Sequence, residues 1–115
     1  MDELDYSYKR MYGLIRELYE LTNEYLKYKN QTIEVLLDGI DGFDLYFFEG
    51  QYFEISQELF NYELNNDDLR LLLDDVNAMC PIVRDEEFSY ETRLDFKDQL
   101  NLVVESIHEI LPQYF

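Results

Sequence analysis

The chain has 115 residues, of which 47% are hydrophobic and 17% aromatic, and its formal net charge is −17. Disordered acidic tails are poor in apolar and aromatic residues, so this composition argues against disorder and predicts a single folded domain over residues 1–115. The negative charge disfavours direct binding to nucleic acid or to anionic membranes, and no apolar run approaches the roughly 20 residues that span a bilayer.

The cellular compartment is predicted from two features. The amino terminus lacks the basic stretch and apolar core of a secretory signal. Cys80 is the only cysteine, so no internal disulfide can form, which suits a reducing environment. We therefore expect a cytoplasmic protein, in the host-cell cytoplasm if a phage encodes it.

The excess charge is concentrated in the middle of the chain. Residues 30–80 hold twelve carboxylates and one cation, Arg70, whereas residues 1–29 hold six acids and five bases, and residues 81–115 hold eight and three. Solubility needs only about 2 to 8 net charges on a small domain, and self-repulsion opposes folding. The surplus therefore indicates a basic binding partner.

The first predicted element is a long helix. Apolar and aromatic residues recur in alternating steps of three and four from Leu4 to Tyr25, which places them on one stripe. The helix should end near Lys29 or Asn30. Its stripe can pack on the rest of the domain or, through its seven-residue spacing, support a homodimer through this helix.

A small antiparallel sheet is predicted next. Thr32–Leu37 is a candidate strand, and in Phe43–Ser56 aromatic and β-branched residues flank Gly50 as in a hairpin. A three-residue loop over 49–51 gives the register that places apolar residues opposite one another. In that register Phe43, Leu45, Phe47, Phe53 and Ile55 face the core, and Asp44, Tyr46, Phe48, Tyr52 and Glu54 share the other face.

A helix is predicted after the hairpin. It begins at a cap, Asn66 or Asp67, carries acids in its first turn where the helix dipole favours them, and ends at Pro81. Its predicted buried side consists of Leu69, Leu72, Leu73, Val76 and Met79.

The last elements are a weak strand and a helix. The strand is predicted around Phe88–Leu94, and the helix begins near Asp95 or Phe96 and ends at Pro112. The predicted buried residues of this helix are Leu100, Val103, Val104, Ile107 and Leu111.

These elements predict an α+β fold, with about three helices on one face of a small antiparallel sheet of three to four strands. An all-α bundle that retains the hairpin is the alternative.

Catalytic and metal sites lack the residues that they need. His108 is the only histidine, so histidine-based zinc and di-iron sites are incomplete, and we expect it on the solvated surface. Cys80 is expected to be a buried, inert thiol. Residues 38–49 suggest a calcium loop, but Ile40 and Gly42 stand where ligands are required. We predict a non-enzyme with no cofactor and no metal.

The acidic middle block and its tyrosines are predicted to bind a basic protein. Tyrosine supplies rigid, amphipathic contact area and is enriched at binding hot spots. The predicted partner-binding residues are Asp38, Asp41, Asp44, Tyr46, Phe48, Glu49, Tyr52, Glu54, Glu58, Tyr62, Glu63, Asp67 and Asp74.

The charge suits an imitation of nucleic acid. B-form DNA carries about 24 negative charges over 40 Å, within a factor of two of the net charge here. In composition and size the chain resembles acidic nucleic-acid mimics, whose folds are unrelated, so no residue roles carry over. We expect an inhibitor of a nuclease or other basic nucleic-acid-binding protein, of the anti-CRISPR or anti-restriction type found in phages and mobile elements.

Two other functions fit the same composition. An immunity protein or antitoxin that neutralises one cognate basic toxin uses the same electrostatics with narrower specificity. A small acidic chaperone or adaptor, dimeric through the first helix, uses the charge to hold a client.

Overall fold

A computed structural model describes residues 3–62 and 64–115, with side chains from Tyr8 onward, and these residues form helices without a sheet. The helices are α1 Glu3–Tyr28, α2 Ile33–Asp38, α3 Leu45–Phe60, α4 Asp67–Arg84 and α5 Tyr90–Ile110, followed by a 3-10 turn, Leu111–Tyr114. The predicted α+β fold is therefore wrong, and the alternative, an all-helical bundle, fits without its hairpin. In the described chain, the β-type pairing is one isolated bridge, Ile40–Phe43.

Helix α1 is long, as predicted, and most of its apolar stripe is buried. Tyr8, which the stripe also includes, is 53% exposed, and the side chain of Leu4 lies outside the described residues. The buried members are Met11, Ile15, Leu18, Thr22 and Tyr25.

The predicted strand over 32–37 is the short helix α2. The Thr32 hydroxyl caps it by accepting a hydrogen bond from the N–H of Val35 at 3.3 Å. Ile33 and Leu36 are three residues apart, which places both on one helical face, and both are buried. The β-branched residues that favoured a strand are thus accommodated in a capped helical turn.

The predicted hairpin is helix α3. Its buried stripe repeats in steps of three and four and consists of Leu45, Phe48, Tyr52, Ile55 and Leu59. Asp44 caps the helix by accepting from the N–H of Phe47 at 3.0 Å. The hairpin register is wrong for two residues that it placed in the core, because Phe47 is 66% exposed and Phe53 is half-buried. Aromatic strand propensity is weak beside the burial of a whole helical stripe.

Helix α4 begins where predicted, with Asn66 as its cap, but it does not end at Pro81. Proline removes one backbone hydrogen bond from a helix. Cys80 and Val83, on either side of it, are fully buried. Their packing continues the apolar stripe, so the helix runs on to Arg84.

Helix α5 replaces the predicted strand over 88–94 and starts earlier than predicted. Ser89 caps it by accepting from the N–H of Thr92 at 3.2 Å, so the helix begins at Tyr90 rather than near Asp95. The five residues predicted to be buried in this helix and its 3-10 extension are all buried.

The four long helices form an antiparallel bundle, in which α3 and α5 each pack against both α1 and α4. Arg10 of α1 bonds Glu58 near the end of α3, whereas Tyr25 stacks on Phe48 near its start, with ring centroids 4.6 Å apart. Helices α1 and α3 therefore run in opposite directions. The buried residues of all four helices join in one hydrophobic cluster.

Candidate functional site

Acidic side chains from α1 and α3 border a shallow groove between the two helices. On α1, Glu17, Glu20 and Glu24 recur in steps of three and four, the spacing of neighbours on one side of a helix. On α3, Glu54 and Glu58 follow the same rule. Because the helices are antiparallel, the two acidic rows run side by side.

A second depression, of about 620 Å³, lies between α3 and α4. It is lined by Glu54 and Glu58 from α3 and by Asp74 and Asn77 from α4, so Glu54 and Glu58 border both depressions. We call the whole feature the acidic groove, and its carboxylates are Glu17, Glu20, Glu24, Glu54, Glu58 and Asp74.

Arg10 is the one cation among the described residues that line the acidic groove. Its Nε and Nη2 atoms donate to the two carboxylate oxygens of Glu58, each at 2.9 Å. This bidentate hydrogen bond and the Glu58 charge raise the pKa of Arg10. The arginine is thus engaged by one carboxylate and leaves the other five without a cation from the groove lining.

An exposed aromatic residue stands on the same side of α3 as the groove. Phe47, Gln51, Glu54 and Glu58 follow one another at steps of four, three and four, so they share one stripe. Phe47 exposes 66% of its surface, more than any other aromatic residue of α3. The stripe therefore carries an apolar contact at its amino-terminal end and carboxylates at the other.

Three predicted site residues form a separate cluster at the α2–α3 connection. Asp38 and Asp41 are exposed, and Asp41 adopts a left-handed conformation with φ 53°. Asp44 is exposed too, but its carboxylate caps α3. Helix α3, with 16 residues, is about 24 Å long. The predicted acidic block is therefore divided between the two ends of α3.

Tyr46, another predicted site residue, lies near this cluster and has a partner within the chain. It is partly exposed, and its hydroxyl donates to Oε1 of Glu86 at 3.1 Å. Partial desolvation and this bond raise the pKa of Tyr46. The ring of Tyr46 can contact a partner, while its hydroxyl is hydrogen-bonded to Glu86 in the loop between α4 and α5.

The prediction that Phe48, Glu49 and Tyr52 bind a partner is wrong, because all three are buried in the helical bundle. Phe48 stacks on Tyr25, and the hydroxyl of Tyr52 shares a 2.7 Å hydrogen bond with Thr22. The predicted hairpin register places these side chains away from the core, whereas the helical spacing places them in it.

Glu49 is the least expected of these core residues. It is fully buried, and neither carboxylate oxygen has a hydrogen-bond partner. Burial raises the pKa of Glu49 well above 4.5, against the opposing effect of Arg84, Arg93 and Lys97. A carboxyl in this setting is favoured in its neutral form.

The side chains of two cations of α5 are buried, and they donate hydrogen bonds to carbonyls at the carboxyl ends of α1 and α4. Arg93 donates from Nε to the carbonyl of Val83 at 2.9 Å, and Lys97 donates from Nζ to the carbonyl of Lys29 at 2.7 Å. Such carbonyls lack helical partners and favour positive charge. Because Arg93 and Lys97 are buried, the outer surface is more acidic than the residue count indicates.

The remaining predicted residues are spread over other positions. Tyr62 is half-buried beside the core, Asp67 is exposed in the first turn of α4, and Glu63 lies outside the described residues. Of the thirteen predicted residues, the acidic groove brings together Glu54, Glu58 and Asp74.

The predicted site does not include α1, although α1 contributes to the groove. Residues 1–29 are almost neutral in sum, so their composition does not single them out as part of the acidic block. Their charges nevertheless occupy different sides of α1: Glu17, Glu20 and Glu24 line the acidic groove, whereas Arg16 lines a different depression. The three-and-four spacing of the glutamates was the available signal.

His108 and Cys80 have structural surroundings. His108 is partly buried rather than solvated as predicted: its Nε2 lies 2.8 Å from Oδ1 of Asn23, and its ring stacks on Tyr19. Cys80 is fully buried, and burial raises the pKa of its thiol well above 9.0. Within residues 3–62 and 64–115, no group of three or more potential ligands is arranged to hold a metal ion.

Comparison with protein-family models, curated proteins and solved structures gave no match to this chain. None of the helices in the described ranges is long and apolar enough to cross a membrane.

Proposed function

We propose that this chain is an inhibitor whose acidic groove binds the cationic nucleic-acid site of a partner enzyme and excludes the substrate. The observation that supports it best is a pair of adjoining depressions that share Glu54 and Glu58 and together present six carboxylates from three helices. Among their described lining residues the one cation is Arg10, which Glu58 already engages. Such a surface attracts a basic cleft over a distance and repels nucleic acid itself.

The spacing of the groove carboxylates favours a partner whose cationic site binds a single strand of nucleic acid. From Arg10 to Glu24 the groove follows α1 for about 21 Å. Over that length it presents five carboxylates and one arginine. One strand of B-DNA carries about six phosphates over the same distance, and the duplex about twelve. With the arginine included, the net of four negative charges over this length is nearer to one strand than to the duplex.

Two further features support a binding role. The groove side chains stand on helices that share one packed core, so little backbone order has to be acquired on binding. Phe47 adds an exposed ring at the end of the α3 stripe. Charge contributes mainly to the rate of association, and an aromatic contact of this kind adds selectivity.

Such inhibition needs no catalytic step, cofactor or metal on this chain. We expect the protein to act in the cytoplasm, where it would meet such a target. An immunity protein for one basic toxin would use the same groove. The breadth of inhibition separates these two functions.

We expect neutralisation of the groove to abolish most of the inhibition. The test variant carries Glu17→Gln, Glu20→Gln, Glu24→Gln and Glu54→Gln, and the control carries the same number of changes at exposed acids outside the groove: Glu87→Gln, Asp95→Asn, Asp98→Asn and Glu109→Gln. Exposed ion pairs contribute about 0.2–1 kcal/mol each, so the groove variant should inhibit roughly 4- to 1,000-fold less well. The assay measures cleavage of labelled single-stranded and duplex oligonucleotides by a panel of nucleases with basic clefts.

Competition provides the second readout. Inhibition should raise the KM for the oligonucleotide and leave kcat unchanged, and it should weaken steeply as salt rises. A nuclease that binds oligonucleotide and inhibitor at the same time, or equal losses in the two variants, would contradict the proposal. Inhibition of one nuclease and none of its relatives would favour the immunity protein.

A further inference from the structure

A second exposed feature lies on the other side of α1. A depression of about 410 Å³ is lined by Tyr12, Gly13 and Arg16 of α1 and by Tyr114 and Phe115 after α5. Tyr12 is 47% exposed and Phe115 is 60% exposed. We call these five residues the aromatic face. Exposed aromatic residues gathered in one depression are typical of interaction sites.

The aromatic face differs in charge from the acidic groove. Among the side chains that the structure describes, no acidic one lines this depression, and Arg16 is the one charged side chain there. A basic protein, the partner proposed for the acidic groove, would gain nothing from Arg16. The aromatic face instead suits a partner whose surface presents aromatic rings, because such rings can form a cation–π contact with the guanidinium of Arg16.

Gly13 gives the aromatic face a notch. It is exposed in the interior of α1, and a Cβ atom placed on it would meet nothing within 4 Å. Glycine destabilises a helix interior by about 1 kcal/mol relative to alanine, and no contact within the described chain requires it here. A missing side chain on an exposed helix allows another element to approach the backbone closely.

We propose that the aromatic face binds a second copy of this chain in a two-fold dimer. With 11 tyrosines and 8 phenylalanines, the chain is itself the aromatic-rich partner that the face requires. In a two-fold arrangement the same patch meets itself, so Arg16 of each copy lies against the rings of the other, in a cation–π contact. The Gly13 notch receives the partner's side chain.

The distribution of charge selects this face for self-association. Two chains of net charge −17 repel each other, and contact through the acidic groove would place carboxylates against carboxylates. Among the described side chains, none that lines the aromatic face is acidic, so contact through this face avoids the side-chain carboxylates of the groove. It also leaves both acidic grooves open, so the dimer would present two binding sites to basic partners.

The test is size-exclusion chromatography with light scattering, at high protein concentration and in about 0.1 and about 1 M salt. We expect twice the chain mass, with a larger dimer fraction at high salt, because the Debye length shortens from about 10 to about 3 Å and screens the repulsion. A Tyr12→Glu, Phe115→Glu variant should have the mass of one chain. Leu102→Glu, at an exposed leucine of α5 outside the face, should dimerise like the parent.

A second variant separates misfolding from loss of the interface. Gly13→Ala fits the free chain without a clash and favours the helix, yet it fills the notch, so it should lower the dimer fraction at least severalfold while circular dichroism shows full helicity. A single-chain mass for the parent at every concentration and salt, or dimers of the Tyr12→Glu, Phe115→Glu variant, would overturn the proposal. Inhibition through the acidic groove should survive in the monomeric variant, so either proposal can fail alone.

Discussion

Among single residues, Glu49 is buried in a way that makes the stability of this protein depend on pH. Its carboxyl is buried without a hydrogen-bond partner, and Arg84, Arg93 and Lys97 face it from α4 and α5. Tyr25, Tyr46 and Cys80 are the other titratable groups that interact with it. Because burial outweighs the cations, the folded state binds a proton that the unfolded chain releases near its ordinary pKa.

We expect Glu49→Gln to remove the loss of folding stability that accompanies ionisation of this buried carboxyl as the pH rises. An acid whose pKa is raised by folding stabilises the protein below its unfolded pKa, and this stabilisation is lost as the pH rises towards the folded value. Starting near pH 4.5, the variant should therefore become more stable than the parent with rising pH, by up to about 1.4 kcal/mol per pH unit. Urea unfolding between pH 4 and pH 8 measures this difference.

Glu109→Gln provides the matched control, because Glu109 is exposed on α5. That variant should follow the parent across the pH range. If Glu49→Gln also runs parallel to the parent, the carboxyl is ionised in the folded state and has found a partner among the nearby cations.

At the scale of elements, α3 shows how strand-like residues can form a helix. Its sequence is rich in phenylalanine, tyrosine and isoleucine, which favour strands. The buried residues nevertheless repeat with helical spacing, and Asp44 supplies the cap that a hairpin would not use. The period of the buried residues and the cap were both present in the sequence, and they outweigh residue propensity.

Asp44 therefore acts first as a cap, and its substitutions distinguish capping from charge. Asp44→Ala should lower the free energy of unfolding by about 1 kcal/mol, because the Phe47 N–H loses its acceptor. Asp44→Asn retains an acceptor oxygen, so it should be close to the parent in stability. Denaturant titration measures both. Equal losses for the two variants would assign the effect to the charge at the start of α3 rather than to the cap.

At the scale of the whole molecule, folding separates the charges. Arg93 and Lys97 are enclosed among the helices, Arg10 and Lys29 are paired with Glu58 and Glu105, and Arg70 lies over the Phe60 ring. The carboxylates are left mainly on the outside, in the acidic groove and around the α2–α3 connection. The folded state therefore carries more self-repulsion than an even mixture of charges would.

We expect sodium chloride to stabilise the fold. Raising its concentration from about 0.1 to about 1 M should increase the melting temperature, by about 4–8 °C for each kcal/mol of repulsion that is screened. The groove variant with four glutamines should respond less than the parent, since part of its repulsion is already removed. A fall in melting temperature with salt would mean that ion pairs, which salt weakens, dominate the surface electrostatics.

Local spacing and composition are enough to predict the long first helix, the start of α4 at Asn66 or Asp67, the buried stripe of α5 and the net charge. Tertiary packing was needed to show that Phe48, Glu49 and Tyr52 are internal and that Glu17, Glu20 and Glu24 join Glu54 in one groove. Residues far apart in the chain become neighbours through the packing of α1 on α3. That packing depends on how all four helices bury their apolar stripes together, which no short segment specifies.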